Sequence, residues 1–175
     1  MYRVAGPGLV IAAIAVASAQ SPTLHFTAAK DWTVKPSSSP MRVAQYVLPR
    51  ATGDAEDAEL IVYFFGGQGG SVEANLDRWV GQMEQPDGRP SKAVARTETL
   101  TVNGMKATVL DVPGKYVAEM APGSATRFNK PDFRLKAALV ETAGGPYFVK
   151  LTGPAKTVER WNTAFATFLR SATYR

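Results

Sequence analysis

The stretch from Leu60 to Phe65 constrains the fold most, because all six of its residues are apolar or aromatic. A strand with one solvated face alternates apolar and polar side chains. A strand that is apolar on both faces therefore belongs at the centre of a sheet that is covered on two sides. A glycine-rich loop and an amphipathic segment follow directly. This order predicts a layered fold in which helices pack against the sheet.

Two segments carry apolar residues at steps of three and four, the spacing of one buried helix face. The first begins after Ser71, whose hydroxyl can cap a helix, and is predicted to end near Gln85, before Pro86. The second begins at Pro154, a residue type favoured in the first helical turn. The predicted buried stripes are Val72, Leu76, Trp79, Val80 and Met83 in the first helix, and Val158, Trp161, Phe165, Phe168 and Leu169 in the second.

Hairpins separate the two predicted helices. Asn103-Gly104 lies between two β-type runs, and both turn residues of such a hairpin must accept a positive φ. A second hairpin is predicted from Arg134 to Leu151, around the turn at 142–145. Because hairpins connect the strands, we expect an α+β fold. Its mostly antiparallel sheet would have six or seven strands, covered by the two amphipathic helices.

The chain contains one histidine, His25, and no cysteine. Histidine is the usual general acid or base near neutral pH, and cysteine is the most readily activated nucleophile. This composition disfavours triad hydrolases, thiol enzymes and zinc enzymes, so we expect a protein that is not an enzyme. His25 itself is expected to be exposed or to lie in an edge strand. Without disulfides, a packed core must stabilise the fold.

Residues 1–19 have the pattern of a secretory signal peptide. Leu9–Val16 is an apolar core, and a small-residue cleavage motif ends at Ala19. The apolar run is too short for a membrane span, which needs about 20 residues. We therefore expect cleavage near Ala19, no stable membrane anchor, and a periplasmic or secreted location. Residues 20–31 would form an N-terminal lead-in and residues 32–175 a single domain.

The net charge of +5 does not predict a nucleic-acid partner, because the lysines and arginines are spread along the chain. Nucleic-acid-binding proteins cluster such residues on one face or segment. The acidic residues Asp54, Glu56, Asp57 and Glu59 do not follow the spacing of a calcium-binding loop and predict a solvated connection. We expect no metal and no cofactor.

Several short motifs resemble a group of exported bacterial proteins of uncharacterised function, from about Trp32 to Ser171. In chain order they are Pro40–Arg42, Gly66–Val72, Asn75–Trp79, Asn103–Gly104, Pro146–Pro154, Thr157–Val158 and Phe165–Ser171. More remotely, the order of elements is similar to the PsbP-like α/β/α sandwich of photosystem II extrinsic proteins and a Ran-binding nuclear import factor. This resemblance implies the same sandwich and a role in binding or assembly. It implies no ligand, since fold alone does not determine function.

The glycine-rich loop at 66–70 is the first candidate site. Backbone N–H groups before a helix can bind an anion, with Gln68 and Ser71 as further contacts. The loop has neither the lysine of a Walker loop nor the glycine spacing of a Rossmann loop, which disfavours nucleotide binding. The alternative interpretation is a sharp turn from strand to helix.

The segment 112–133 is the second candidate, with turns predicted at Pro113–Gly114 and Pro122–Gly123. Long segments without regular structure are often functional. Its aromatic and cationic residues can either form a recognition surface or attach the segment to the sheet. The candidates for binding a ligand or partner are Tyr116, Arg127, Phe128 and Lys130, beside Gln68 and Ser71 in the glycine loop.

Three functions follow from these observations. The leading hypothesis is an exported, non-enzymatic binding or assembly module that acts on a protein or a cell-envelope component. The second is an exported carboxylate-dependent hydrolase of glycosidase type, which needs two acids at catalytic separation. Its candidate acids are Glu73, Asp77, Glu119 and Glu141. The third is a small anion-binding or sugar-binding protein that uses the Gly66–Ser71 loop. The sequence predicts no particular oligomeric state.

Overall fold

The computed structural model describes residues 23–175, and the predicted signal peptide lies outside the described residues. The strands are β1 (Leu24–His25), β2 (Thr33–Val34), β3 (Arg42–Leu48), β4 (Ala58–Phe64), β5 (Met83–Glu84), β6 (Arg96–Val102), β7 (Met105–Tyr116), β8 (Lys130–Thr142), β9 (Gly145–Pro154) and β10 (Thr173–Tyr174). The helices are α1 (Val72–Val80), α2 (Ala155–Arg160) and α3 (Asn162–Arg170), and a 3-10 turn spans Ser91–Ala93.

The main sheet is antiparallel throughout and follows the strand order β2-β3-β4-β9-β8-β7, while β5 and β6 both pair with the outer edge of β7. The predicted α+β class and antiparallel sheet are confirmed. The sheet has eight strands where six or seven were predicted. The additional strand is β5, which has two residues and is too short to show a periodic pattern.

Both faces of the central strand β4 are covered, as its composition predicts. Leu60 and Val62 are fully buried in a core beneath α2 and α3. Successive side chains of a strand point to opposite faces, so Ile61 and Tyr63 lie on the other side of the sheet. There α1 covers a second core, and Tyr63 packs at its margin. The architecture is therefore helix, sheet, helix.

The carboxy-terminal stripe forms the larger core. Its five predicted residues are all buried, and the indole N–H of Trp161 donates a hydrogen bond of 2.8 Å to the carbonyl of Pro49. A fully buried large apolar side chain contributes roughly 1.5–3 kcal/mol, so this stripe is a major stabilising contact. The single predicted helix is divided into α2 and α3, because the backbone departs from helical geometry at Trp161. Pro154 precedes α2 as its cap residue rather than opening the helix.

The first predicted helix is shorter than its stripe. Helix α1 ends at Val80, and the N–H of Gly81 bonds back to the carbonyl of Asp77. Met83 still reaches the second core, but from β5, which pairs with Tyr116 at the outer edge of β7. The expectation of a helix to Gln85 was wrong because this strand edge offers backbone hydrogen bonds that end the helix early.

Pro113–Gly114 does not form a turn, contrary to the prediction. Both residues lie inside β7, opposite Arg134 and Phe133 of β8. Gly114 has a φ of +144°, and the register shifts between Gly114 and Tyr116, so the residues form a bulge. A Cβ at Gly114 would stand 2.5 Å from the carbonyl oxygen of Glu84, which explains why glycine is needed where β5 approaches.

The described part of the lead-in packs on the larger core. Strand β1 pairs with β10, and Phe26 stacks on Phe168 with ring centroids 4.4 Å apart. His25 is exposed in this edge strand, and its Nε2 lies 3.0 Å from the hydroxyl of Thr23. The expected position of the histidine is confirmed.

The glycine loop makes a tight passage from β4 to α1. Gly69 has a φ of +142°, and a Cβ there would stand 2.5 Å from the ring of Phe148. Ser71 caps α1, since its hydroxyl accepts a hydrogen bond of 3.2 Å from the N–H of Ala74. Both observations support the interpretation of this loop as a sharp turn from strand to helix.

Among residues 23–175, no helix combines the length and the apolar character that a membrane crossing requires.

Candidate functional site

A cleft of about 550 Å³ lies between the sheet and the segment 117–129, which we call the cover segment. The cleft floor comes from β3, β4 and β9 and is formed by Arg42, Glu59, Ile61, Tyr63, Lys150 and Thr152. One wall comes from the end of α1, with Arg78, Gly81 and Gln82, and another from Tyr116 and the cover segment. Small-molecule sites have volumes of about 300–1,000 Å³, so the cleft is large enough for such a ligand.

The cleft exists because α1 covers only part of the sheet. Nine helical residues extend about 14 Å, and α1 packs over β7, β8 and the Phe148 end of β9. Lys150 is two residues beyond Phe148 and therefore lies on the same face, past the end of the helix. It pairs with Ile61 of the central strand. The fold thus leaves a lysine in the middle of a sheet face that the helix does not reach.

Lys150 occupies the base of the cleft. Its ammonium donates hydrogen bonds of 2.6 Å to the side-chain oxygen of Gln82 and 3.0 Å to the hydroxyl of Tyr116. Burial is the main cause that lowers the pKa of Lys150 to about 8, and the positive charges of Arg78 and Arg42 contribute to this shift against the opposing charge of Glu59. Part of the Lys150 population is therefore an uncharged amine near neutral pH.

Tyr116 links the lysine to the aromatic wall. Its ring stacks between Phe128 and Phe133, with centroid separations of 5.4 and 6.1 Å. Burial is the main cause that raises the pKa of Tyr116 to about 12, and the nearby Tyr63 and Glu59 contribute to this shift. The phenol therefore keeps its proton in the physiological range and can donate a hydrogen bond into the cleft.

Two arginines add positive charge to the same cavity. Arg42 lies over the ring of Tyr63 at 5.7 Å and donates to the side chain of Gln45, and Arg78 donates a 2.5 Å hydrogen bond to Asn75. Among residues 23–175, no carboxylate oxygen lies within 4.0 Å of the charged nitrogens of Arg42, Arg78 or Lys150. The cleft therefore holds three cations without an ion-pair partner in the described part of the chain.

Both carboxylates in the cleft bind other groups of the chain. Glu59 forms an ion pair of 3.3 Å with Lys35 and accepts a hydrogen bond from Gln45. Glu119 pairs with Arg127 at 3.9 Å and accepts from the N–H of Gly123. Positive charge consequently dominates the space that a ligand would enter.

The cover segment is shorter and more ordered than predicted. Strands β7 and β8 extend into the predicted segment 112–133, which leaves residues 117–129 between them. The predicted turn at Pro122–Gly123 is confirmed by the hydrogen bond from the N–H of Ser124 to the carbonyl of Ala121. The N–H of Phe128 bonds to the carbonyl of Ala118, which folds the segment back on itself over the sheet.

The structure brings together three of the six predicted binding residues. Tyr116, Arg127 and Phe128 line the cleft. Lys130 does not line it, because its ammonium pairs with Glu56 at 2.7 Å. Gln68 and Ser71 lie at the opposite, amino-terminal end of α1 and do not line it either.

The predicted catalytic acids do not form one constellation. Glu73 is exposed on α1, Asp77 pairs with Lys92 at 2.9 Å, and Glu141 pairs with Lys106 at 3.4 Å. Of the four, Glu119 alone lines the cleft. The second acid there is Glu59, which the sequence analysis assigned to a solvated connection.

Two neighbouring acids of that connection, Asp54 and Asp57, accept structural hydrogen bonds from other groups of the chain. One oxygen of Asp54 accepts hydrogen bonds from both the N–H and the hydroxyl of Thr157, at 2.9 and 2.6 Å, and so caps α2. Asp57 accepts from the N–H of Arg50 at 2.9 Å. The Asp54 contacts attach the 50–58 connection to the start of α2, and the Asp57 contact joins the two ends of the connection.

Sequence reasoning missed Arg42, Tyr63, Arg78 and Lys150. The signal for Lys150 was present, because it is the one charged residue in the otherwise apolar run Tyr147–Leu151 and shares a face with Phe148. A lysine at an inward-facing position of a central strand calls for a functional or structural partner. Arg42 and Arg78 had no such signal, since only the folded sheet and helix bring them to one cavity.

No protein-family model matches the chain, and no curated protein sequence matches it. Several solved structures are similar to the chain. PA94, a protein of unknown function from Pseudomonas aeruginosa, is similar over 89% of this chain and 99% of its own, with 14% identity and a TM-score of 0.51. LpqN, involved in cell envelope biogenesis of Mycobacterium tuberculosis, aligns over 88% of this chain and 84% of its own, with 14% identity and a TM-score of 0.49.

Cyanobacterial PsbP from Synechocystis sp. PCC 6803 aligns over 92% of this chain and 98% of its own, with 11% identity and a TM-score of 0.47. At these identities the likeness is one of fold, so function has to be argued from the cleft.

Proposed function

We propose that the chain is an exported, non-enzymatic binding module that holds the anionic group of a small molecule or cell-envelope component in the cleft. One observation carries the proposal. Arg42, Arg78 and Lys150 converge on a cavity with aromatic walls, and none has a carboxylate partner among residues 23–175.

Electrostatics favours an anion there. Like charges in a partly buried cavity repel one another, and a bound anion removes that repulsion. Guanidinium groups bind carboxylates and phosphates through two parallel N–H bonds, which gives orientation as well as affinity. The ordered positions of Arg42 against Tyr63 and of Arg78 against Asn75 reduce the entropy that binding would have to overcome.

The aromatic side chains favour a ligand that also has an apolar or ring-shaped part. Tyr63, Tyr116 and Phe128 line the cavity, and aromatic contacts add to the energy of area burial. An anionic group joined to a ring or short apolar body would match both features of the cleft.

The proposal of export has a different basis. It rests on the charge, apolar core and small-residue motif of residues 1–19. An envelope location would place anionic head groups, glycans and peptides within reach of the cleft.

The contacts give less support to the two alternatives. A carboxylate-dependent hydrolase would have to use Glu59 and Glu119, each of which already pairs with a cation of this chain. An anion site at the glycine loop would have to use Ser71, whose hydroxyl caps α1. The cleft combines positive charge that no carboxylate of residues 23–175 pairs with and a volume suited to a ligand.

Thermal denaturation with three matched compounds tests the proposal. Benzoate and phenyl phosphate should raise the unfolding temperature with concentration, and uncharged benzyl alcohol should not, because only a true ligand stabilises the folded state by mass action. The double variant Arg42→Gln/Arg78→Gln should lose this shift. Arg96→Gln is the matched control, since Arg96 is exposed on the edge strand β6. Equal shifts in all three proteins, or none in any, would contradict anion binding in the cleft.

A further inference from the structure

We propose that Lys150 captures the carbonyl group of a small anionic aldehyde or ketone as a reversible imine. This inference rests on the proposed anion binding and names the ligand class that the same cleft would take. It adds a covalent contact made by a residue at the base of the cavity.

The position of Lys150 suits this chemistry. It lines the cleft together with Arg42 and Arg78, so a ligand whose anion binds the guanidinium groups can present a neighbouring carbonyl to the amine. Held in this way, two reactants behave as one molecule, and imine formation is favoured by proximity. The aromatic residues Tyr116 and Phe128 bound the same space.

The environment of Lys150 also supplies the reactive form. An amine attacks a carbonyl only when it is unprotonated, and burial between positive charges lowers the pKa of Lys150 from 10.5 to about 8. At neutral pH the unprotonated fraction is then about three hundred times that of an ordinary lysine. Gln82 and Tyr116 orient the nitrogen through hydrogen bonds of 2.6 and 3.0 Å.

The step balances with these groups alone. The nitrogen lone pair of Lys150 forms a bond to the carbonyl carbon, and one of the two amine protons passes to the carbonyl oxygen, which becomes a hydroxyl. The second amine proton then leaves together with that hydroxyl as water, which leaves the C=N bond. The Tyr116 phenol, 3.0 Å from the nitrogen, can donate a hydrogen bond to the departing hydroxyl. No oxidant or reductant is consumed, and water reverses the reaction.

Lys136 shows that low exposure alone does not create such a site. It is 9% exposed, yet its ammonium lies 3.2 Å from a carboxylate oxygen of Asp111 and donates to Asn162. The ammonium of Lys136 is thus ion-paired with a carboxylate of the chain. Lys136 is therefore a control residue within the same protein.

Reductive trapping tests the inference. The purified protein is incubated at pH 7.5 with 4-carboxybenzaldehyde and sodium cyanoborohydride, which reduces an imine to a stable secondary amine and reduces the free aldehyde much more slowly, and peptides are mapped by mass spectrometry. We expect modification at Lys150 at least tenfold above Lys136 and above exposed Lys156. Neutral benzaldehyde should modify Lys150 at least several-fold less, because it lacks the anion. Tyr116→Phe should slow the modification several-fold.

Variants and a non-reactive analogue separate the two proposals. Lys150→Arg keeps a cation and should still bind 4-(hydroxymethyl)benzoate in calorimetry. Lys150→Met serves as a second variant that removes the amine. Circular dichroism checks that both variants fold. Binding of this analogue to the natural protein without preferential trapping at Lys150 would overturn imine formation and leave anion binding standing. Absence of binding as well as of trapping would overturn both. Trapping equal at Lys150 and Lys156 would also overturn the inference.

Discussion

The ammonium of Lys150 and the hydroxyl of Tyr116 lie 3.0 Å apart, although β8 separates their strands in the sheet. Burial shifts the pKa values of the two groups in opposite directions, toward about 8 for the lysine and about 12 for the tyrosine. Both shifts favour the uncharged form of the group. Near neutral pH a fraction of the Lys150 amine is therefore uncharged and lies beside a protonated phenol within a cavity lined by arginines.

Stability should depend on pH through Lys150. Between pH 8 and 10 the unfolded chain keeps the lysine proton while the folded chain releases it, so the free energy of unfolding should rise with pH by up to about 1.4 kcal/mol per unit. Above pH 10 the raised pKa of Tyr116 acts in the opposite direction. Urea denaturation gives the free energy of unfolding of the natural protein and of Lys150→Met at each pH. The difference between the two free energies should rise over this pH range. A difference that is constant from pH 7 to 10 would contradict the lowered pKa.

Substitution of Gly69 should test the packing of the glycine loop. Gly69→Ala places a Cβ 2.5 Å from the Phe148 ring, and overpacking of this kind typically costs about 1–3 kcal/mol. Gly53→Ala is the matched control, because Gly53 also has a positive φ but nothing within 4 Å of its added Cβ. Chemical denaturation should show the larger loss for Gly69→Ala. Equal losses would mean that backbone strain, and not contact with Phe148, requires glycine there.

Loss of the Asp54 cap should loosen the start of α2. Asp54→Ala removes the acceptor of both hydrogen bonds from Thr157, and loss of a helix cap costs about 0.5–2 kcal/mol. Asp54→Asn retains a side-chain oxygen acceptor and should cost less. Thermal unfolding of the two variants at pH 7 compares them directly, and an equally stable Asp54→Ala protein would show that the cap contributes nothing.

Phe128 should select ligands with a ring. Its stacking on Tyr116 forms part of the aromatic wall, so Phe128→Ala should weaken benzoate binding by about 0.5–1.5 kcal/mol and acetate binding less. Calorimetric titration with both anions gives the two changes. If acetate and benzoate lose affinity equally, the ring of Phe128 does not contact the ligand, and the aromatic wall has no role in selection.

Periodic features were sufficient to predict the layers of the fold. The apolar residues of Leu60–Phe65 and the two helical stripes describe long elements in which many residues repeat one preference, and all of these pack as expected. The prediction failed where two local structures compete for the same residues. Met83 was assigned to a helix because its spacing fits, yet the unpaired edge of β7 draws it into β5. Pro113–Gly114 reads as a turn, but a bulge accommodates both residues inside a strand.

The cleft was only partly accessible to sequence reasoning. Tyr116, Arg127 and Phe128 attracted attention because aromatic and cationic residues cluster in one segment. Arg42, Arg78 and Lys150 come from three elements that are far apart in the chain, and their meeting depends on how far α1 extends across the sheet. No local sequence pattern predicts how far α1 extends across the sheet. Gln68 and Ser71 attracted attention through a motif whose glycines serve close packing instead.

Titration of isotopically labelled protein with benzoate, followed by amide chemical shifts, tests anion binding in the cleft most directly. We expect saturable shifts concentrated at Gln82, Ala118 and Thr152, which line the cleft, and their loss in the Arg42→Gln/Arg78→Gln protein. Shifts concentrated at Gly66–Ser71, or small unsaturated shifts spread over the surface, would show that the anion does not bind where Arg42, Arg78 and Lys150 meet.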